Sequence, residues 1–322
     1  MKRIAWVLIV LLGVAALAMA TGPRPDTKAI VIFDPAAIGA DPQAWLATQE
    51  AKVANIKPGA EKEIIWADPA TKAKTAVSVV YIHGFSATKM ETRPVSDNVA
   101  KALGANLFYT RLAGHGRDGD AMIEASLDAW VNDVAEALAI AKMIGDKVVV
   151  ITTSTGGTLA TWAAGQPELA AKMDALVLIS PNYAIQGASI GLLNMPWGET
   201  ILPLVLGKQR SFEPSNPEHG KWWTTSYPSK AVFPMGALLK TVEAIDVGTI
   251  KIPALFLLSL QDKVVVPTIS KQVFDKWGGE KQWIAVPDAE DPYKHVIAGD
   301  ILSPKNTAMA VEAILAFLKG KI

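Results

Sequence analysis

Ser154 sits in the run Val148-Val149-Val150-Ile151-Thr152-Thr153-Ser154-Thr155-Gly156-Gly157, where an apolar β-branched stretch breaks into small residues ahead of an Ala/Leu pattern. Strand, sharp turn and helix in that order form a nucleophile elbow, which holds a serine hydroxyl clear of the sheet over a helix N-terminus that favours negative charge. Such a hydroxyl attacks a carbonyl only when a base takes its proton and an acid fixes the base. The chain has 4 histidines. His83 and His115 precede Ser154, His219 falls in an irregular Pro-rich stretch, and His295 follows the last strand pattern, which makes His295 the candidate base. Asp262 follows the apolar run 254–260, so its carboxylate stands just past the carboxyl end of a strand, where open α/β sheets gather their sites. The order Ser154, Asp262, His295 is the one that accompanies an elbow of this kind, with Asp288 and Asp291 as rival acids nearer the histidine. Acyl transfer also needs N–H donors for an oxyanion. Thr155, directly after the serine, supplies one, and Phe85 in Tyr81-Ile82-His83-Gly84-Phe85-Ser86 supplies the other, Gly84 letting the chain turn. His83 is expected to tie that loop down. Each piece alone has a plain reading: a strand-to-helix turn, a surface histidine, a turn-forming aspartate. Thr152 stands where such elbows usually have glycine, and fits only if the facing helix leaves room.

Short β-branched runs alternating with segments of helical period must position these groups, which gives an α/β class with a largely parallel sheet. Strands are expected at residues 63–66, 77–82, 106–110, 148–153, 176–180, 254–260 and 282–286, and helices at 95–103, 127–144, 157–164, 268–277 and 307–318. Ser126 as N-cap, Asp128 in the first turn and Gly145 past the end mark the helix at 127–144 most clearly. The alternation breaks at 183–249, rich in Pro and Trp, which reads as an inserted cap of short helices over the carboxyl edge of the sheet. The core is then 76–182 and 250–322, preceded by a linker and N-terminal extension at 21–75 whose apolar run 29–33 is expected to lie on the core.

With 322 residues, 50% of them hydrophobic, the chain can bury one large core. Lys plus Arg and Asp plus Glu balance at 31 each, so no positive field draws in nucleic acid. Cys is 0, which excludes disulfides, thiolate metal sites and a cysteine nucleophile. The scattered histidines offer no metal-ligand spacing. Residues 114–119 spell Gly-x-Gly-x-x-Gly, yet no helix pattern opens there, so no nucleotide cofactor is expected. Residues 1–20 begin Met1-Lys2-Arg3, continue with apolar and small residues, and end Ala18-Met19-Ala20; they read as an export signal or, if uncleaved, a membrane anchor slightly under the ~20 residues of a span. The protein is therefore expected to be exported or tethered to a membrane.

Three motifs together, His83-Gly84-Phe85, Arg111-Leu112-Ala113-Gly114-His115-Gly116 and the elbow around Ser154, resemble the α/β-hydrolase superfamily in its lysophospholipase, monoacylglycerol lipase and carboxylesterase-like branch. Ser259-Leu260-Gln261-Asp262-Lys263-Val264-Val265 and His295-Val296-Ile297 resemble the acid and base loops of that family. The resemblance implies an α/β-hydrolase fold and a serine hydrolase that cleaves carboxylic esters through an acyl-enzyme, needing no cofactor. Monoacylglycerols, lysophospholipids or short acyl esters are the expected substrates. An amidase or aminopeptidase on the same scaffold, or a non-catalytic membrane-tethered binding protein of this fold, are the alternatives.

Overall fold

The centre of the molecule is a sheet whose inner strands are buried on both faces, because near-continuous β-branched and aliphatic runs leave neither face able to meet water. A computed structural model describes residues 2–322. The strands are β1 (Glu63–Ile65), β2 (Thr75–Ile82), β3 (Asn106–Tyr109), β4 (Gly145–Thr153), β5 (Ala175–Ile179), β6 (Gln209–Ser211), β7 (Ser226–Pro228), β8 (Ala254–Leu258) and β9 (Lys281–Ala285). Seven of them form one sheet in the order β1-β3-β2-β4-β5-β8-β9, antiparallel only at the β1 edge. This is the α/β-hydrolase fold, with helices on both faces and the segment between β5 and β8 inserted as a largely helical cap.

Alternation along the strands splits the core in two. Val80 and Ile82 of β2 and Val148 and Val150 of β4 pack with the helices Leu127–Ile144 and Thr155–Ala164, whereas Val79, Tyr81, Val149 and Ile151 pack with Val95–Leu103 and Thr307–Leu318. Ser126 caps the helix at Leu127–Ile144 by accepting the Ala129 N–H, and Gly145 leads straight into β4 in extended backbone without a loop. The β8 strand stops at Leu258, two residues before its apolar run does, because the chain turns there: the Asp262 N–H donates to the Ser259 carbonyl and the Gln261 N–H to Ser259 Oγ.

The inserted segment holds helices at Ile190–Leu193, Gly198–Leu206, Pro217–Trp222 and Phe233–Glu243, and also an antiparallel hairpin of β6 with β7 that the sequence pattern did not suggest. It touches the loop after β2 directly, through the Thr224 N–H to the Ser86 carbonyl at 2.7 Å and the Tyr227 ring edge-on to Phe85 at 5.3 Å. The N-terminal extension contains an unforeseen helix, Pro42–Glu50, capped by Asp41. Glu50 pairs with Arg111 at 2.7 Å, Lys62 with Asp133 at 3.0 Å and also with Glu136, and Trp45 Nε1 donates to Glu136. In the 29–33 run Ala29 and Phe33 pack on the core, while Ile30 and Ile32 face outward. Lys2–Thr21 is one helix, and its residues Arg3–Thr21 are long and apolar enough to cross a membrane by length and composition.

Candidate active site

β4 is the middle strand of seven, and its carboxyl end delivers Ser154 with φ 52° and ψ −118°, a strained backbone that non-glycine residues adopt only when their surroundings impose it. The surroundings are specific. The Ser154 N–H donates to the Ile179 carbonyl of β5 at 3.0 Å, and its own carbonyl accepts the Asn182 and Gly157 N–H groups. Gly156 permits the tight passage, since a Cβ there would lie 2.1 Å from the Ile82 carbonyl oxygen. Gly157 resolves the anomaly of Thr152: a Cβ on Gly157 would sit 3.3 Å from Thr152 Oγ1 and 2.9 Å from Pro181 Cβ, so this second glycine leaves the room that the threonine needs. Thr152 spends its hydroxyl on the Val177 carbonyl at 2.9 Å, leaving no buried polar group unpaired there.

His295 and Asp262 come together. The ring Nδ1 lies 2.7 Å from Asp262 Oδ2, while Asp262 Oδ1 accepts the Val264 and Val265 N–H groups at 2.8 and 2.9 Å. A carboxylate at that distance accepts a hydrogen bond from Nδ1–H and so keeps the ring proton on Nδ1, which leaves Nε2 with a free lone pair. Asp291 does something else: it accepts the N–H groups of Tyr293, His295 and Val296 and so folds the loop that carries the histidine. Asp288 is exposed. Burial by itself would lower the His295 pKa, but the charge and hydrogen bond of Asp262, helped by the charges of Glu91 and Asp291, outweigh it and raise the pKa above its ordinary 6.5.

The serine and the histidine share one sheet edge. Ile179, which accepts from Ser154, is followed by Ser180, whose hydroxyl donates to the His295 carbonyl at 2.7 Å. Ser154 Oγ makes no hydrogen bond to the imidazole among the described residues. On the other side of the elbow, His83 Nε2 accepts the Leu112 N–H at 3.1 Å and Nδ1 lies 2.8 Å from the Gly84 carbonyl, so the ring bridges two loops and is neutral. Burial, with the His115 and Arg111 charges adding to it, holds its pKa well below the usual value. The N–H groups of Phe85 and Thr155 have no hydrogen-bond partner among the described residues, although nearly all buried backbone donors in proteins find one. Met235 of the inserted segment reaches the start of the helix after the serine, with its sulfur 3.6 Å from Thr155 Oγ1.

Sequence reasoning passed over one group here. Glu91 is buried, and its Oε2 accepts the Gly84 N–H at 2.7 Å and the Tyr81 hydroxyl at 3.0 Å. Its neighbours Lys89, Thr92 and Arg93 give the stretch the look of a polar surface loop, and nothing local announces the burial.

Residues 73–289 match the family described as serine aminopeptidase, S33. The chain belongs to this family of α/β-hydrolases. It is an enzyme of the serine hydrolase class. Among curated relatives, it is 27% identical over 208 residues to a thermostable monoacylglycerol lipase of Bacillus sp. (strain H-257), covering 65% of this chain and 79% of that protein. Among solved structures, it superposes on a metagenome-derived lipolytic enzyme of the LipS and LipT study with a TM-score of 0.64 at 20% identity, over 82% of this chain and 99% of the other. A monoacylglycerol lipase from Paleococcus ferrophilus follows the same fold with a TM-score of 0.58 at 16% identity, over 81% and 98% of the two chains.

Proposed function

We propose that this family member hydrolyses carboxylic esters of apolar acyl groups, monoacylglycerols, lysophospholipids or short acyl esters, through an acyl-enzyme on Ser154. The observation that carries the reading is the Asp262–His295 pair at 2.7 Å, set on loops at the same sheet edge as a strained serine. His295 Nε2 takes the proton from Ser154 Oγ as the serine attacks the ester carbonyl, a contact absent in the structure that forms when substrate is bound. Asp262 holds the tautomer and offsets the charge on the imidazolium. The free N–H groups of Phe85 and Thr155 receive the oxyanion, His295 then protonates the leaving alcohol, and water activated by the same imidazole releases the acid.

The apolar acyl preference draws on the inserted segment, where Leu192, Trp197, Leu204, Val205 and Leu206 are exposed. Two of the relatives above are called monoacylglycerol lipases. The segment spanning 190–206 also meets the N-terminal helix: the Trp197 indole donates to the Ala18 carbonyl at 3.0 Å and its backbone N–H to the Pro23 carbonyl at 2.8 Å. That contact supports a retained anchor that holds the enzyme at a membrane surface.

The family description raises a second reading, a peptidase or amidase, because the same serine, histidine and acid also cleave amides and the cap decides which leaving group fits. An ester and an amide with the same acyl part separate the two. A kcat/KM for the ester above that for the amide is expected, and the reverse preference overturns the proposal.

A further inference from the structure

Glu91 is a buried carboxyl that the acyl-transfer steps above do not use. It lies between the two halves of the site. A Cβ built on Gly84 would be 2.7 Å from Glu91 Oε1 and 3.0 Å from Ser154 Cβ, so the carboxyl and the serine flank the same glycine. From β2 the Tyr81 hydroxyl reaches Oε2; from the loop after β9 His295 is near enough for its charge to act on Glu91, and behind the imidazole stand Asp262 and Asp291. The cations of its own segment are engaged elsewhere, Lys89 with Glu63 and Arg93 with Asp97 and Glu63. Across from it Gly299 packs so closely on Thr92 and the Glu91 carbonyl that a Cβ would be 2.7 Å from Thr92 Cα, which pins this stretch to the loop carrying His295.

We propose that Glu91 is a positioning residue of this site: its Oε2 fixes the Gly84–Phe85 turn that presents the oxyanion donor, and its charge, a second one besides Asp262, steadies the imidazolium that His295 becomes during turnover. The inference rests on the reading of Ser154 and His295 given above. Both donors to Glu91, the Gly84 N–H and the Tyr81 O–H, go to Oε2, so a proton on the carboxyl belongs on Oε1. Burial pushes the Glu91 pKa up to about 7, against the pull of the Gly84 N–H, the His295 charge and the Tyr81 hydroxyl. The carboxyl therefore changes charge near neutral pH, and the His295 pKa is itself raised above 6.5. Because coupling is reciprocal, removing the Glu91 charge must make His295 easier to deprotonate.

Glu91→Gln tests this, since the amide oxygen can still accept the Gly84 N–H while the charge is gone. In wild type, kcat/KM for a p-nitrophenyl ester rises with pH as His295 loses its proton. In Glu91→Gln that limb is expected about half to one pH unit lower, the scale of one partly buried charge. Tyr81→Phe, which removes a donor to the carboxylate, is expected to move the limb the same way by less, and it serves if Glu91→Gln does not fold. An unmoved limb in the folded variants overturns the proposal, because a purely structural role would lower the rate without moving the midpoint. Failure of the underlying reading looks different: a fluorophosphonate then leaves Ser154 of the wild type unlabelled, whatever the pH profiles show.

Discussion

The loops at the carboxyl edge of the sheet and the 190–206 stretch of the cap differ in how their side chains are committed. At the edge, Asp262, Asp291, His83 and Glu91 each hold specific backbone N–H groups, and the strained Ser154 is locked by β5 and the helix after it. In 190–206 the large side chains Leu192, Trp197, Leu204, Val205 and Leu206 face outward, and Trp197 is tied to the N-terminal helix rather than to the core. The groups of the proposed active site are held by named hydrogen bonds, and the stretch proposed to meet the acyl chain is left open to the surroundings. Chemistry and substrate choice should therefore respond to different substitutions.

The largest effect is expected at the edge. Ser154→Ala should lower kcat on the order of 10⁴-fold or more with the fold and melting temperature kept. Asp262→Asn comes next, on the order of 10²- to 10⁴-fold in kcat, because the amide can offer its N–H to Nδ1 and favour the wrong tautomer. Its rival behaves otherwise: Asp291→Ala should cost about 2–4 kcal/mol of stability, read by denaturant unfolding, since the buried N–H groups of His295 and Val296 and the half-buried one of Tyr293 lose their acceptor. If Asp291→Ala instead abolished turnover in a stably folded protein while Asp262→Asn retained it, the roles of the two carboxylates would be exchanged.

Proton linkage gives a further contrast within the edge. The folded-state pKa of His295 is raised, so its contribution to stability is complete below about 6.5, the unfolded value, and is lost as pH rises through the folded pKa, while the proposed role as base predicts that activity rises over that same range. Glu91 is a carboxyl with a raised pKa, so it too favours the folded state at low pH; between 4.5 and about 7 its share of stability declines, by at most ~3 kcal/mol. Urea titrations at pH 5 and pH 8 should show a smaller loss in Glu91→Gln than in wild type. The smallest effect is expected in the cap. Leu204→Ser and Leu206→Ser should raise KM for long-chain esters by ~10-fold or less and leave acetate ester hydrolysis unchanged. Equal losses for short and long esters would mean that this face plays no part in acyl binding.

How far the sequence discloses such a site depends on whether the signal is local. The helices Val95–Leu103, Leu127–Ile144 and Thr307–Leu318 have the bounds their patterns suggest, because the periodicity lies within the segments themselves and Ser126 caps the second. The candidates Ser154, Asp262 and His295 stood out by position, the first two just past the ends of β4 and β8 and the third in the loop after β9. Pro42–Glu50 carried a readable signal, Asp41 as N-cap with Pro42 at the first helical position. The β6–β7 hairpin did not, since three-residue strands show no alternation. Neither did Glu91, whose proposed role depends on its loop folding back so that the carboxyl meets Tyr81 and Gly84 at the end of the preceding strand. Thr152 looked like a defect in the elbow, and only the packing of Gly157 shows why it is none.

The most direct test is to treat the protein with a fluorophosphonate and locate the adduct by peptide mass spectrometry. A single adduct on Ser154, absent in Ser154→Ala and much slower to form in His295→Ala, is the expected result. No adduct on the active, folded wild type, or one that persists at another residue in Ser154→Ala, would contradict it.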